Sequence, residues 1–120
     1  MTKTSKGIVW AGVVTIIVVG AIHVIEAPDS FTEAAYKGWL FLANGAGAIV
    51  AAFGIWKGKP LAWGLGLLVA VGAMGGYVAS RTIGLPMLPP EPDAWFEPMG
   101  VLSLIFEAAY IVIFLQKDKR

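Results

Sequence analysis

One acidic residue lies deep inside a long apolar run. Glu107 interrupts the run of residues 99–116 near its middle, roughly 13 Å from either end at the rise of an α-helix. Ser103 and Tyr110 lie four residues before it and three residues after it, so the three side chains share one helix face. Ionisable groups at such a depth usually face other helices or water and have a role. Glu107 is therefore a candidate carrier of a proton or a cation.

Asn44 lies in another apolar run, roughly 10 Å inward from Lys37, which is a depth similar to that of Glu107. The similar depth predicts that Asn44, with Ser103 and Tyr110, is a partner of Glu107. The alternative is purely structural, because hydrogen bonds between helices in a membrane contribute about 0.6 kcal/mol and occur without any function.

A second group of ionisable residues falls at one level of the predicted helices. His23 and Glu26 share a helix face, Arg81 ends the third apolar run and Glu97 precedes the fourth. One interpretation is a vestibule open to protons or ions, in which His23 titrates near neutral pH. A second is a divalent-metal site formed by His23, Glu26 and Glu97, joined by Met87 or Met99 if the metal is copper. The third is an ion-pair network that joins Arg81 to Glu26 or Glu97.

The residue types exclude several kinds of chemistry. The chain has no cysteine and a single histidine, so it cannot form a disulfide, a thiolate metal site or a histidine pair for haem. No nucleophile elbow, phosphate-binding glycine loop or zinc-protease helix is present. A net charge of +1 provides no basic surface for nucleic acid. We expect no enzymatic activity, no cofactor and no nucleic-acid partner.

The elements that carry these residues are predicted to be membrane spans. In 120 residues, 58% are hydrophobic and 14% charged, which is typical of a membrane protein. Four apolar runs are each long enough to cross a hydrocarbon layer of roughly 30 Å. The composition therefore predicts an all-α integral membrane four-helix bundle, a single domain over residues 1–120, with spans at about 7–26, 37–56, 61–82 and 97–116.

The basic residues predict the orientation of the spans. With the amino terminus in the cytoplasm, only Lys37 and Arg81 of the nine basic residues lie outside. Both termini are then cytoplasmic, and the inner membrane is the predicted location. The cytoplasmic side holds Lys3, Lys6, Lys57, Lys59, Lys117, Lys119 and Arg120, together with Asp118. Tryptophans fall near both predicted boundaries, with Trp10, Trp56 and Trp63 on the inner side and Trp39 and Trp95 on the outer side.

The connections between the spans differ in character. Pro28 is predicted to end the first helix, and Ser30 with Glu33 forms a capping-box pattern that starts another, either continuous with the second span or lying along the interface. Residues 57–60 allow only a tight turn, so the second and third spans form an antiparallel hairpin. The proline-rich connection 84–93 is expected to be extended and irregular.

Small residues in the second and third spans favour close helix packing. Gly47 with Ala51, and Gly72 with Gly76, have the four-residue spacing that lets helix backbones approach. This packing lies either within one chain or between the copies of a homo-oligomer.

Three segments together resemble a loosely defined group of small four-span bacterial and archaeal membrane proteins without an assigned activity. The segments are His23-Val24-Ile25-Glu26-Ala27-Pro28, Ser80-Arg81-Thr82-Ile83-Gly84-Leu85-Pro86 and Glu97-Pro98-Met99-Gly100-Val101. The resemblance implies that the positions to test are His23, Glu26, Arg81, Glu97 and Glu107.

The sequence thus predicts a non-enzymatic membrane protein, working as a homo-oligomer, that binds or conducts a small ion or a proton-coupled solute. Glu107 is the predicted carrier at the base of an outward-facing polar site. The alternative is an accessory or assembly subunit of a larger membrane complex, in which the polar groups are structural and the glycine-rich hairpin is the docking surface. A metal-binding membrane module is the third interpretation.

Overall fold

The computed structural model describes residues 5 to 117 and consists of four long helices with one short 3-10 helix, Pro92–Ala94. Each long helix is apolar enough and long enough to cross a membrane, which confirms the prediction of four apolar helices. The four are α1 (Lys6–Glu33), α2 (Ala35–Trp56), α3 (Pro60–Thr82) and α4 (Pro98–Gln116).

Local sequence signals explain where three of these helices begin. The Ser5 hydroxyl accepts a hydrogen bond of 3.2 Å from the Ile8 N–H, which caps α1. Pro60 and Pro98 occupy the first turns of α3 and α4, where the proline's missing N–H costs no intrahelical hydrogen bond.

The end of α1 differs from the sequence prediction, because the helix continues through Pro28 to Glu33. Ala34 is extended (φ −162°, ψ 139°), and its carbonyl accepts a hydrogen bond of 3.1 Å from the Lys37 N–H, so α2 begins after a single connecting residue. The predicted capping box is wrong, since Ser30 is buried within α1 and the Glu33 carboxylate is paired with Lys37 at 2.8 Å. No separate interfacial helix forms.

Packing of α1 against α2 on both sides of Pro28 explains why the proline does not end the helix. Val24 contacts Gly45 before it, and Phe31 contacts Gly38 after it, in both cases where a larger residue than glycine would collide. A proline inside a helix removes one backbone hydrogen bond. The close contact of the two helices offsets that loss.

The helices run alternately up and down. The turn Lys57–Lys59, with Gly58 at φ +80°, joins α2 to α3 as the predicted hairpin. Each of α1 and α3 packs against both α2 and α4, whereas α1 and α3 barely touch each other. We call the end with residues 57–59 the turn end, and the opposite end, with Ala34 and residues 83–97, the loop end.

The apolar core fills only the half of the bundle near the turn end. It consists of side chains from all four helices that pack around Ile16, Ala51, Ile55, Trp63 and Tyr110. Trp63 lies in the first turn of α3, near the turn end, and is 5% exposed, so its side chain packs inside the bundle. Its ring stacks on Tyr110, with ring centroids 6.0 Å apart.

The connection 83–97 is folded back on α3 and is not extended as predicted. Gly84, at φ +85°, reverses the chain after α3. A tight turn follows, with Pro86 and Met87 (φ 64°) at its centre, and two backbone hydrogen bonds between Leu85 and Leu88, of 3.1 and 2.9 Å, close it. The Glu91 N–H then donates to the Ser80 carbonyl at 2.9 Å, which ties the connection to the end of α3. The proline-rich connection is therefore compact and covers the loop end of the bundle.

Charge is distributed unevenly between the two ends. Lys6, Lys57, Lys59 and Lys117 lie at the turn end, while Lys37 and Arg81 lie at the loop end. The loop end also holds six acids, namely Glu26, Asp29, Glu33, Glu91, Asp93 and Glu97. Lys3, Asp118, Lys119 and Arg120, which also entered the orientation prediction, lie outside the described residues.

Candidate functional site

A cavity of about 930 Å³ occupies the loop-end half of the bundle, where the apolar core is missing. All four helices and the connection 83–97 contribute to its wall. It is lined by every predicted site residue except Tyr110, namely Glu107, Asn44, Ser103, His23, Glu26, Arg81 and Glu97. Both predicted groups therefore lie around one cavity, with Glu107 deepest and the outer ionisable residues nearer the loop end.

Glu107 is the most deeply buried charged residue that lines this cavity, with 1% of its surface exposed. The Ser103 hydroxyl donates a hydrogen bond of 2.5 Å to its Oε2, one turn earlier on α4. Within residues 5–117, its other oxygen, Oε1, has no hydrogen-bond partner. A buried polar atom without a partner is unfavourable. Glu107 therefore has an unused acceptor or donor position.

Asn44 does not bond to Glu107, contrary to the sequence prediction. Its amide nitrogen donates instead to the Val69 carbonyl on α3, at 3.4 Å, and its Oδ1 is buried without a partner in the described chain. Gly47, one turn further along α2, packs against the same residue, Val69. One cavity thus has two unsatisfied side-chain oxygens in its wall.

Tyr110 is also not a partner of Glu107. Its hydroxyl donates to the Trp63 carbonyl at 2.8 Å, and the side chain is fully buried in the core. Gly66 makes this possible, because the Tyr110 hydroxyl occupies the space that a side chain at position 66 would need. The polar stripe of α4 does face the interior, but its two ends lie in different regions: Ser103 lines the cavity and Tyr110 packs in the apolar core.

His23 presents one ring nitrogen to the cavity. Its Nδ1 lies 2.8 Å from the Val19 carbonyl, and because a carbonyl only accepts, Nδ1 carries a proton. Nε2 is then the acceptor of the neutral ring. The ring lies beside Phe41 on α2, with centroids 4.9 Å apart.

Arg81 forms no ion pair with Glu26 or Glu97, so the predicted ion-pair network is wrong. Its guanidinium donates to the Ala94 carbonyl at 3.2 and 3.3 Å and to the Ser80 hydroxyl at 2.7 Å. The same group lies 3.8 Å above the ring of Tyr77. Arg81 therefore holds the connection 83–97 against α3, because the carbonyl it binds comes from that connection.

The remaining charges give the mouth of the cavity a negative character. Glu26 lies within electrostatic range of Glu97, Asp29 and Glu33. Lys37, the other cation of the wall, is already paired with Glu33. Such a concentration of negative charge at a cleft favours a positively charged ligand.

A metal site has no support in the structure. No group of three or more His, Asp or Glu side chains that could hold a metal ion occurs among residues 5–117. The weak candidates His23, Glu26 and Glu97 line the same cavity but do not form such a group.

Two aromatic residues of the site were missed at the sequence level. The Tyr36 hydroxyl donates to the Pro86 carbonyl at 2.6 Å, and the Tyr77 hydroxyl donates to the Trp95 carbonyl. Both bonds join a helix to the connection 83–97. The position of Tyr77 four residues before Arg81, on the same helix face, is the signal that could have identified it.

Comparisons with protein-family models, with curated proteins and with solved structures give no match. The resemblance to a group of small four-span membrane proteins therefore stays a prediction.

Proposed function

We propose that the chain is a non-enzymatic multi-pass membrane protein that binds or conducts a small cation, a proton included, or a proton-coupled solute in the loop-end cavity. The observation that carries the proposal is the pairing of a cavity with a buried acid: Glu107 is 1% exposed, lines the cavity and has an oxygen without a partner among the described residues. A carboxyl group in this position either accepts a cation or exchanges a proton.

The negative charges around the cavity support a cation as its ligand. Six acids lie at the loop end, and the two cations there, Lys37 and Arg81, are engaged with Glu33 and with the connection 83–97. The packed core around Trp63 and Tyr110 fills the bundle beyond Glu107, so the cavity is blind at its inner end. Passage across the molecule therefore requires this core to rearrange after binding.

The distribution of basic residues supports an orientation with the turn end in the cytoplasm and the loop end outside the inner membrane. The cavity would then receive its cation from the outer side.

Proton flux in proteoliposomes tests the proposal. A gradient of Na⁺, K⁺ or NH₄⁺ is applied across vesicles that contain an entrapped pH dye. The dye reports proton movement in the opposite direction as a change of the internal pH. We expect protein-dependent flux that Glu107→Gln abolishes, because the amide keeps the shape of the side chain but cannot exchange a proton or carry a charge.

Asp93→Asn is the matched control, since it also removes one acid from the loop end but lies outside the cavity wall. Size-exclusion chromatography of both variants is used to check that their folding is unchanged. Equal flux in the wild type and in Glu107→Gln contradicts the proposal. The absence of any protein-dependent flux contradicts conduction, and together with the absence of cation binding it contradicts the proposal as a whole.

The second candidate is an accessory subunit of a larger membrane complex, favoured by the outer face of α3. Gly64 and Gly75 are exposed there, and a side chain at either position would meet no atom of the described chain within 4 Å. Such a face accommodates a closely packed helix of a partner or of a second copy. Co-purification of a partner that Gly75→Leu removes, in the absence of flux, would favour this function.

A further inference from the structure

The loop-end cavity has an opening in the side of the bundle, between α2 and α3. Gly47 packs against Val69: a Cβ added at position 47 would lie 3.1 Å from Cγ2 of Val69. This contact forms the lower edge of the opening. The hydrogen bond from Tyr36 to the Pro86 carbonyl bridges its upper edge. Leu68, beside Val69 at the lower edge, and Leu40, one turn from Tyr36 at the upper edge, line the cavity and are 69% and 61% exposed. Both leucines lie more than one turn inside their helices, so they are exposed sideways.

Glycines of α3 keep this opening wide. Gly72 and Gly76 line the cavity, and a Cβ at either position would meet nothing within 4 Å. Past Val69, the face of α3 that carries these two glycines therefore borders open space and not a neighbouring side chain. In a bilayer, a sideways opening at this depth faces the hydrocarbon, so an apolar molecule can enter without crossing water.

The size and wall of the cavity match an organic molecule better than a bare ion. About 930 Å³ lies within the range of pockets that hold drug-sized ligands. A divalent metal cation is held by several ligands close together, and residues 5–117 contain no group of three or more His, Asp or Glu side chains that could hold one. Much of the wall is apolar, including Leu40, Phe41, Leu65, Leu68 and Met99.

The polar groups of the wall require hydrogen-bond donors from the ligand. Glu107 Oε1 and Asn44 Oδ1 have no partner in the described chain. A protonated amine has several N–H donors and a positive charge, so it satisfies both oxygens and neutralises the buried carboxylate.

We propose that the ligand of this cavity is an amphipathic organic cation, with an apolar body against the walls of α2 and α3 and a protonated nitrogen at Glu107 and Asn44. It enters from the bilayer through the opening between Leu40 and Leu68. This inference rests on the proposed function and narrows its cation to an organic ammonium.

Binding of 1-naphthylmethylamine tests the inference, with two leucine variants of α3 that differ by one position. Gly76→Leu places a side chain in the cavity, whereas Gly75→Leu places the same side chain on the outer face, and neither position has a neighbour within 4 Å to obstruct folding. Titration calorimetry in nanodiscs is expected to show saturable binding to the wild type and to Gly75→Leu, weakened at least about tenfold in Gly76→Leu.

Charge recognition is tested in the same titrations. Glu107→Gln is expected to weaken binding of the amine at least about tenfold, and 1-methylnaphthalene, which has no ammonium group, is expected to bind the wild type at least about tenfold more weakly than the amine. Equal binding of both compounds overturns the inference, because the cavity then holds any apolar molecule, such as a lipid chain. Equal binding of the amine to Gly76→Leu and Gly75→Leu overturns it as well.

The two proposals fail in different ways. One outcome is proton flux against Na⁺ or K⁺ that depends on Glu107, without saturable binding of the amine. This outcome contradicts the inference of an organic ligand and is consistent with the proposed function. Absence of both overturns both.

Discussion

At the scale of single residues, the most informative feature is the pair of unsatisfied oxygens on Glu107 and Asn44. Each buried polar atom without a hydrogen bond costs about 1–3 kcal/mol, so the native bundle carries a penalty that an apolar pair would avoid. Ser103 provides Glu107 with one hydrogen bond and leaves the other oxygen for something else. A ligand or a proton that satisfies these oxygens would recover part of this free energy.

The two hydroxyls of the α4 stripe are expected to behave differently when removed. Tyr110→Phe should lower the free energy of unfolding by about 0.5–1.5 kcal/mol, because it removes the hydrogen bond to the Trp63 carbonyl, and should retain Glu107-dependent flux, because the hydroxyl does not contact Glu107. Ser103→Ala, which removes the hydrogen bond to Glu107, should change that flux. Denaturant unfolding in detergent and the proteoliposome assay measure the two effects. A loss of flux in Tyr110→Phe would show that Tyr110 acts on the site after all.

At the scale of elements, α3 uses the same residue type for three purposes. Gly66 makes room for the Tyr110 hydroxyl, Gly72 and Gly76 border the cavity, and Gly64 and Gly75 lie on the open outer face. Glycine spacing alone predicts close approach of helices at every one of these positions. Among the contacts of residues 5–117, only Gly66 of these five glycines is in such contact, so most of the glycines of α3 border open space.

This division predicts opposite effects of the same substitution at two glycines of α3. Gly66→Ala should lower the free energy of unfolding by about 1–3 kcal/mol, because the new methyl group collides with the buried Tyr110 ring. Gly64→Ala meets no atom within 4 Å and should be neutral, or more stable by up to about 1 kcal/mol, because alanine favours the helix. Unfolding of both variants in the same detergent compares them directly. Equal stability of the two variants would contradict the packing of α3 on α4.

At the scale of the whole molecule, the bundle is divided into a packed half and an open half. The core around Ile16, Ile55 and Trp63 stabilises the turn end, whereas the loop end is held by hydrogen bonds from Tyr36, Tyr77 and Arg81 to the connection 83–97. Apolar packing is non-directional and dense, and hydrogen bonds at a rim can support a cavity without filling it. The open half is also the acidic half, so charge and free volume coincide.

The proposed orientation can be tested with cysteine labelling, because the chain has no native cysteine. Asp93→Cys at the loop end should react with a membrane-impermeant maleimide in intact cells. Lys59→Cys at the turn end should react only after the membrane is permeabilised. The excess of basic residues at the turn end is the physical reason, since positively charged connections stay in the cytoplasm. If Lys59→Cys alone is labelled in intact cells, the orientation is the reverse of the proposed one.

The sequence by itself determined the features that depend on neighbours along one helix. The length of each apolar run predicted four helices, and the spacing of Ser103, Glu107 and Tyr110 predicted a buried polar stripe, because helical periodicity alone places these residues on one face. Lys57–Lys59 likewise allowed only a turn. These predictions required no knowledge of which helices touch.

Only the tertiary structure decided which polar atoms meet. Pro28 stays inside α1 because α2 packs along both sides of it, and Arg81 binds Ala94 in place of an acid because the connection 83–97 folds back over α3. Asn44 reaches Val69, 25 residues away, and so leaves Glu107 with a free oxygen. Each outcome depends on how two distant elements pack, and the cavity lies where the shared apolar core of the four helices ends. Helical periodicity determines the face on which a side chain lies, but it contains no information about what that face meets.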